Sequence, residues 1–315
     1  MLSQILGLHH VTLMASDAQT NNAFFTRTLG LRRVKKTVNF DAPDVYHLYY
    51  GDAQGTPGTV MTYFPFPHAA RGTPGAGEVA MTAFAVPVGS LSAWRQRLTQ
   101  AGTLGIIAET RFGENRLQFS GPDGETLALV EVARDPRNPW TGGGLAADLA
   151  IRGFHSVTIR LHDAAATSEL LQVMGYRVTA TEGSLTRLRL PDGNGADTVD
   201  IEALPGAAPA RQGAGSVHHV AFAVENRARQ LEVRQALTEA GVAVTPVIDR
   251  DYFWAIYFRT PGGVLFEIAT NEPGFARDED PEHLGQALKL PLRHEHLRSR
   301  LELDLKPISD LADGA

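Results

Sequence analysis

Cysteine is absent from all 315 positions of the chain. Its absence excludes disulfide bonds, zinc–thiolate sites and catalysis by a thiol nucleophile. Long apolar runs are also missing, since none approaches the ~20 residues that a membrane-spanning helix needs. The first residues, MLSQILGLHHVTL, lack the basic start and apolar core of a signal peptide. We therefore expect a cytoplasmic protein that neither enters a membrane nor is exported.

Basic residues are also fewer than acidic residues. The formal net charge is −6 at pH 7, which argues against a protein that binds nucleic-acid phosphates through basic patches. The 43% hydrophobic and 20% charged residues are typical of folded proteins and exclude a disordered chain. The composition leaves open whether the protein forms a homo-oligomer.

What the sequence does contain is internal repetition. Residues 215–224 (GSVHHVAFAV) align with residues 77–86 (GEVAMTAFAV), and residues 233–241 (VRQALTEAG) align with residues 94–102 (WRQRLTQAG). A weaker similarity relates GLHHVTL at residues 7–13 to GFHSVTI at residues 153–159. The repeats predict four units, each a strand, a helix that ends in glycine, and three further strands.

These units define the predicted architecture. Their approximate bounds are 6–66 for unit one, 77–134 for unit two, 152–206 for unit three and 215–271 for unit four. We predict an α+β protein with four βαβββ units in two tandem domains, whose mixed, curved sheets form a cup. The predicted domains are residues 1–137 and 146–275, and residues 276–315 form a tail with a helix around Arg293–Leu305 that serves packing or subunit contact.

Glu267 is an acid in an otherwise apolar strand of unit four. That strand, Val264–Thr270, follows Phe253–Arg259 across a Pro-Gly-Gly turn and places Glu267 on the face opposite Phe266. A buried carboxylate needs a cation or strong hydrogen bonds. Counting from the turn proline, unit two has Ala128 at this position and unit one has Tyr63, while unit three offers Asp200 or Glu202. Because unit two keeps the scaffold without the acid, the fold itself does not require Glu267.

Paired histidines open the first strands of units one and four, at residues 9–10 and 218–219. Neighbours in a strand point to opposite faces, so one histidine of each pair should reach a shared site. By parity His9 and His218 belong with large apolar residues on a packed face, whereas His219 belongs with small alanines. We therefore select His10 and His219, with Glu267, as metal ligands. Two imidazoles and one carboxylate form a facial triad that favours iron(II), with manganese as the second choice.

The pairing of the units follows from the same comparison. Unit three has Ser156, a poor iron ligand, where unit one has His10. We therefore predict that unit one pairs with unit four and that His10 bridges the two halves of the chain. His155 of unit three should face the packed side. His47, in the tyrosine-rich strand VYHLYY, is predicted to be a core or cavity-wall residue.

Two further polar residues accompany Glu267. The Tyr257 hydroxyl could hydrogen-bond a substrate oxygen, or Tyr257 could be an ordinary tyrosine of the sheet face. Arg250 could stabilise an anionic substrate or product, but unit two keeps Arg111 at the matching place without any metal residues, which favours a structural part.

Several of these segments resemble a known family. LHHVTL, GTPGTV, SVHHVAF, YFRTPGGVLFEIATNEPGF and above all KKTVNFDAPDVYHLYYGD are similar to the vicinal-oxygen-chelate superfamily of glyoxalases, bleomycin-resistance proteins and extradiol dioxygenases. Within it, the chain resembles the ring-cleaving branch that includes para-hydroquinone dioxygenases. The resemblance implies an iron(II) enzyme that cleaves a catechol- or hydroquinone-type diol with O₂. It implies roles around the metal and substrate for five more residues, namely His9, Thr12, His218, Arg250 and Tyr257.

Two other functions remain open at this stage. A glyoxalase-like isomerase or lyase would use the same fold and often has a second carboxylate on its metal. A bleomycin-resistance-type binding protein would need no metal, and the set His10, His219 and Glu267 would then have no purpose.

Overall fold

The computed structural model of the protein describes residues 2–309. Unit one comprises β1 (Ile5–Ala15), α1 (Ala18–Ala23) with a following π-helical turn (Phe24–Thr28), β2 (Arg32–Val38), β3 (Tyr46–Gly51) and β4 (Val60–Pro65). Unit two comprises β5 (Glu78–Pro87), α2 (Leu91–Gln100), β6 (Ile107–Arg111), β7 (Glu114–Ser120) and β8 (Thr126–Val132). Each has the predicted order of strand, helix and three strands.

The second half repeats this order. Unit three comprises β9 (Gly153–Leu161), α3 (Ala165–Val173), β10 (Arg177–Glu182), β11 (Leu185–Arg189) and β12 (Thr198–Ala203). Unit four comprises β13 (Val217–Val224), α4 (Arg227–Glu239), β14 (Ile248–Asp249), β15 (Phe253–Arg259) and β16 (Leu265–Pro273). The predicted α+β fold of four βαβββ units is confirmed.

The strands of residues 2–309 form two mixed sheets of eight strands each. The first sheet has the order β14-β15-β16-β13-β1-β4-β3-β2, and the second has the order β10-β11-β12-β9-β5-β8-β7-β6. Antiparallel pairing of β1 with β13 joins units one and four, and pairing of β5 with β9 joins units two and three. The predicted pairing of unit one with unit four is confirmed. Each sheet therefore takes one unit from each half of the chain, and the boundaries drawn at residues 137 and 146 stay a proposal.

A β-bulge recurs in the first strand of every unit. The register between β1 and β13 shifts at His9 and again at His218, and the register between β5 and β9 shifts at Ala80 and at His155. A bulge places two residues of one strand opposite a single partner and re-aims a side chain. All four bulges occupy the same position in their units, so this feature belongs to the repeated fold.

One large apolar core runs through both sheets and lies under the helices. The strands contribute to this core with every second side chain. In β16, Phe266 and Ile268 pack into the core, whereas Glu267 and Ala269 face the other side of the sheet, as predicted. On α4 the buried Val233 and Leu237 are four residues apart and share one face of the helix. The core thus leaves the opposite face of the first sheet available for a site.

The C-terminal segment after β16 packs along unit one. Its elements are three short 3-10 turns, Phe275–Arg277, Pro281–His283 and Leu292–Leu297, followed by α5 (Arg298–Asp304). The helix predicted around Arg293–Leu305 is therefore divided between a 3-10 turn and α5, whose Leu301 is fully buried. Among the described residues, no helix is long and apolar enough to cross a membrane.

Candidate metal centre and aromatic cavity

His10, His219 and Glu267 meet on the concave face of the first sheet. Nε2 of His219 is 2.9 Å from Oε2 of Glu267, Nε2 of His10 is 3.3 Å from the same oxygen, and the two Nε2 atoms are 3.2 Å apart. All three side chains are buried, with Glu267 wholly inaccessible. They come from β1, β13 and β16, neighbouring strands of the first sheet, so the sheet itself positions the group.

Hydrogen bonding around His9 determines which nitrogen of His10 has a lone pair available to bind a metal ion. Nε2 of His9 lies 3.1 Å from the carbonyl oxygen of Thr270, an obligate acceptor, so Nε2 carries the hydrogen. Burial lowers the pKa of His9 to about 3, which makes the ring neutral and its Nδ1 an acceptor. Nδ1 of His10, 2.9 Å away, must then donate. Nε2 of a neutral His10 ring consequently offers its lone pair to the cluster, the form that binds metals.

The donor set fits a divalent metal ion. Neither carboxylate oxygen of Glu267 has a hydrogen-bond partner of acceptable geometry, although both are buried. Ligand atoms on adjacent corners of an octahedron lie about 3 Å apart when each metal bond is about 2.1 Å long. The measured separations of 2.9, 3.2 and 3.3 Å match that spacing. A cation between the three atoms would compensate the buried carboxylate, which otherwise costs several kcal/mol.

The pKa directions agree with this ligand form. Burial lowers the pKa of His219, with Glu267 opposing, so its imidazole is neutral. Burial by itself raises the pKa of Glu267, but its interactions with His10 and then with His219 outweigh burial and hold that pKa well below its usual range. Glu267 therefore stays ionised beside the two ligand nitrogens.

Tyr257 and Arg250 stand beside the three-residue cluster. Tyr257 pairs with Glu267 across β15 and β16, and its ring centre is 5.8 Å from that of His219. Burial, and then the Glu267 carboxylate, raise the pKa of Tyr257 well above 10, so its hydroxyl keeps its proton. Nε of Arg250 donates to the Tyr257 hydroxyl at 3.3 Å, and Nη1 donates to Asp41 at 3.1 Å.

A cavity of about 510 Å³ opens onto this cluster. Its polar wall includes the three clustered residues together with His218, Arg250 and Tyr257. The remaining wall is largely aromatic and apolar, with Phe40, Phe64, Phe66, Phe253, Met14 and Leu265. A cavity of this size and character suits a small organic molecule, for which pockets of about 300–1,000 Å³ are usual.

A hydrogen-bonded chain runs from the cavity wall into the sheet. The Tyr49 hydroxyl lies 2.8 Å from Nδ1 of His47, and Nε2 of His47 lies 2.9 Å from the Thr62 hydroxyl. The Thr62 hydroxyl in turn lies 2.8 Å from that of Thr12. His47 and Tyr49 line the cavity, so His47 is the cavity-wall residue that the sequence predicted. Thr12 is fully buried and does not line the cavity.

The parity prediction for three histidines is wrong. His218 lines the cavity beside His219, with their Nδ1 atoms 2.8 Å apart, and His9 contacts the ring of Phe253, a cavity residue. His155 bonds Glu114 and Ser156 and does not face the packed side. The reason is the repeated bulge, which turns the first residue of each pair toward the same side as the second.

Strand register also corrects the counterparts of Glu267. Glu267 pairs with Ala221, and the equivalent pair in unit one is Thr62 with Thr12, so Thr62 and not Tyr63 is the counterpart. Counting from the turn proline is off by one residue because the connection before β4 differs in length. In unit three the equivalent residue is Asp200, which pairs with Thr158 and binds Arg187 through both carboxylate oxygens at 2.8 and 2.9 Å.

Other cavity residues were not predicted from sequence. They include Tyr49, Phe253 and the connecting residues 39–42. Tyr49 pairs with Thr62 as Tyr257 pairs with Glu267, so a correct register would have singled it out. Residues 39–42 repeat nowhere else in the chain, so the comparison of units gave no signal for them.

Comparison with known proteins agrees with this fold. Residues 7–129 and 190–268 match the family model of the Glyoxalase/Bleomycin resistance protein/Dioxygenase superfamily. The chain belongs to this superfamily. Glyoxalase I from Zea mays, at 13% identity and a TM-score of 0.63 over 84% of this chain and 92% of that one, shares the fold.

Within the superfamily the chain is similar to ring-cleaving dioxygenases. It is 40% identical over 308 residues to MhqO of Bacillus subtilis (strain 168), a proposed ring-cleaving dioxygenase, with 98% of each chain covered. It is 36% identical over 310 residues to a chlorohydroquinone/hydroquinone 1,2-dioxygenase of Sphingobium indicum, with 95% of each covered. The crystal structure of a proposed dioxygenase from Bacillus subtilis superposes with a TM-score of 0.93 at 39% identity, covering 97% of this chain and 98% of that one. The resemblance identified from sequence is thus confirmed.

Proposed function

We propose that this protein is an iron(II)-dependent dioxygenase that cleaves the ring of a hydroquinone- or catechol-type diol with O₂. The observation that carries the proposal is the convergence of three ligand atoms within 3.3 Å at the wall of an aromatic cavity. The similarity to a chlorohydroquinone/hydroquinone dioxygenase over 95% of the chain supports the substrate class.

His10, His219 and Glu267 would hold the metal and leave its cavity side open. Iron(II), when bound, would supply the one-electron chemistry through which O₂ reacts with an electron-rich diol. Manganese(II) is the second candidate. In the overall reaction one carbon–carbon bond of the ring breaks and both atoms of O₂ enter the product, so no external reductant is needed.

The chain itself contributes orientation and charge. The aromatic side chains Phe40, Phe64 and Phe253 would pack against the ring of the diol and exclude water from the cavity. The protonated Tyr257 hydroxyl, which already accepts a hydrogen bond from Arg250, can donate to a substrate oxygen. Arg250 would stabilise negative charge that develops there.

A single carboxylate at the cluster favours this function over glyoxalase-like chemistry. The counterpart of Glu267 in unit one is Thr62, whose hydroxyl is engaged by Thr12 and His47. The second carboxylate that a glyoxalase-type site often carries is therefore replaced here by a neutral hydroxyl.

The test is an anaerobic preparation loaded separately with iron(II), manganese(II) or zinc(II). We expect iron-loaded protein to take up one O₂ per molecule of diol consumed, within a panel of substituted hydroquinones and catechols. Iron-loaded protein that binds diols but takes up no O₂ would contradict the proposal, as would equal diol turnover by metal-free protein.

A further inference from the structure

The segment that follows β16 forms part of the structure next to the cavity. Nζ of Lys35, a fully buried lysine, donates to Asp278 at 2.7 Å, and Nε of Arg33 donates to the carbonyl of Gly285 at 2.8 Å. Further along, the backbone of Lys289 donates to the carbonyl of residue 36 at 2.9 Å. The segment therefore follows the edge strand β2 toward the loop between β2 and β3.

That loop supplies one side of the cavity. Four consecutive residues, Asn39, Phe40, Asp41 and Ala42, line it. Within the loop, the Asn39 side chain accepts hydrogen bonds from the backbone N–H groups of Asp41 at 2.8 Å and Ala42 at 3.2 Å. The ladder of β2 with β3 ends at the pair of Val38 with Tyr46, so contacts from other segments add to the loop's own hydrogen bonds in fixing its position.

Arg293 and His294 of the C-terminal segment provide such contacts. Nη2 of Arg293 donates to the Phe40 carbonyl oxygen at 2.6 Å, and Nε2 of His294 donates to the same oxygen at 2.9 Å. The Arg293 guanidinium also lies 5.4 Å from the centre of the Phe40 ring, within the range of a cation–π interaction.

Phe40 and Asp41 of the loop also contact Arg250, the arginine that lines the cavity. Arg250 lies 5.8 Å from the Phe40 ring centre and binds Asp41 at 3.1 Å, while Arg293 approaches the other oxygen of Asp41 at 3.9 Å. Phe40 and Asp41 are thus held between one cation that lines the cavity and one cation from the C-terminal segment.

We propose that Arg293 and His294 are positioning residues of the substrate cavity. By holding the Phe40 carbonyl they fix the wall against which an aromatic ring packs, and through Asp41 they help to orient Arg250. Without them, the loop would keep only its internal hydrogen bonds and the contact of Asp41 with Arg250, and the further ordering needed when substrate binds would be subtracted from affinity. The inference rests on the proposed function for the identity of the substrate, and on geometry alone for the position of the loop.

The test compares the double variant Arg293→Gln/His294→Ala with the control Arg300→Gln. Arg300 lies in the same segment, is 60% exposed, and is paired with Asp304 at 3.5 Å, one turn along α5. Hydrogen exchange of a peptide covering residues 39–46 reports on the loop. Anaerobic titration of the iron-loaded protein with hydroquinone reports on affinity, and metal content is measured in parallel.

We expect faster exchange in the loop of the double variant and about 10-fold weaker hydroquinone binding, the range for loss of such hydrogen bonds. KM should rise similarly, while metal content and kcat stay within about 2-fold because the residues that act on substrate remain. Arg293→Lys, which keeps a donor and a cation, should restore part of the affinity.

Unchanged exchange in the loop overturns the inference, as does faster exchange with unchanged hydroquinone affinity. A lower metal content in the double variant overturns it too, since the effect would then be on the cluster. If the wild type binds none of the diols, the proposed function fails, while the exchange comparison still decides whether the segment holds the loop.

Discussion

Replacing Glu267 by glutamine tests two effects of its buried carboxylate. The carboxylate should bind a metal ion, and it should destabilise the fold when no metal is present. The substitution keeps the size of the side chain but removes the charge that a metal ion would compensate. Metal-free wild type must keep a wholly buried carboxylate against two imidazoles, with no well-aligned hydrogen bond to either oxygen. In metal-free protein, the glutamine N–H groups can donate to the imidazole lone pairs instead.

We expect metal-bound wild type to be the most thermally stable, followed by Glu267→Gln and then by metal-free wild type. A metal present at about 1,000 times its Kd stabilises the native state by about 4 kcal/mol. At about 2 °C per kcal/mol for a chain of this size, chelation should lower the Tm of the wild type by about 8 °C. The glutamine variant should lose the response to metal. It should also melt a few degrees above metal-free wild type, because an uncompensated buried charge has been removed.

The assay combines metal analysis with thermal melts with and without a chelator. Asp200→Asn is the matched control, since Asp200 is the equivalent residue of the second sheet and is also wholly buried. That variant should be destabilised by loss of its pair with Arg187, yet keep full metal content and the full response to chelator. Full metal content in Glu267→Gln, or a wild-type Tm indifferent to chelator, would refute the ligand assignment.

Three further predictions concern Tyr257, Arg250 and Glu125. Tyr257→Phe should keep the metal and lower ring cleavage by roughly 10²-fold, the range for loss of a general acid or base; wild-type turnover would make Tyr257 a packing residue. Arg250→Gln should keep the metal and lower kcat/KM for the diol by about 10-fold, because a cation that stabilises the developing negative charge is lost; an unchanged kcat/KM measured by O₂ uptake would exclude that role. Burial, and then the Asp123 carboxylate, raise the pKa of Glu125 from 4.5 to about 7, against a hydrogen bond from the Tyr63 hydroxyl at 3.1 Å. The folded state therefore binds more protons than the unfolded state between these values, and the free energy of unfolding should fall by up to about 3 kcal/mol as the pH rises through this window. Urea unfolding at pH 5 and pH 8 should show this fall in the wild type and not in Glu125→Gln; equal slopes with pH in both would contradict the assignment.

The repeated units could be predicted from the sequence because their signals are local. Alternation in β16 placed Glu267 on the face opposite Phe266, and the loss of histidines in unit two separated scaffold residues from site residues. Ser156 in unit three was enough to predict the pairing of units one and four. The sequence also selected the three residues that the structure brings together, whose role as metal ligands stays a prediction.

Tertiary structure decided everything that depends on hydrogen-bond register and on contacts between distant segments. The bulges turned His9 and His218 toward the site, and strand pairing made Thr62 rather than Tyr63 the counterpart of Glu267. The carbonyl of Phe40, a residue of the cavity wall, accepts a hydrogen bond from Arg293, more than 250 residues further along the chain. Strand periodicity describes how neighbouring side chains alternate, but it carries no information about where an extra residue enters a ladder or which remote segment covers a loop.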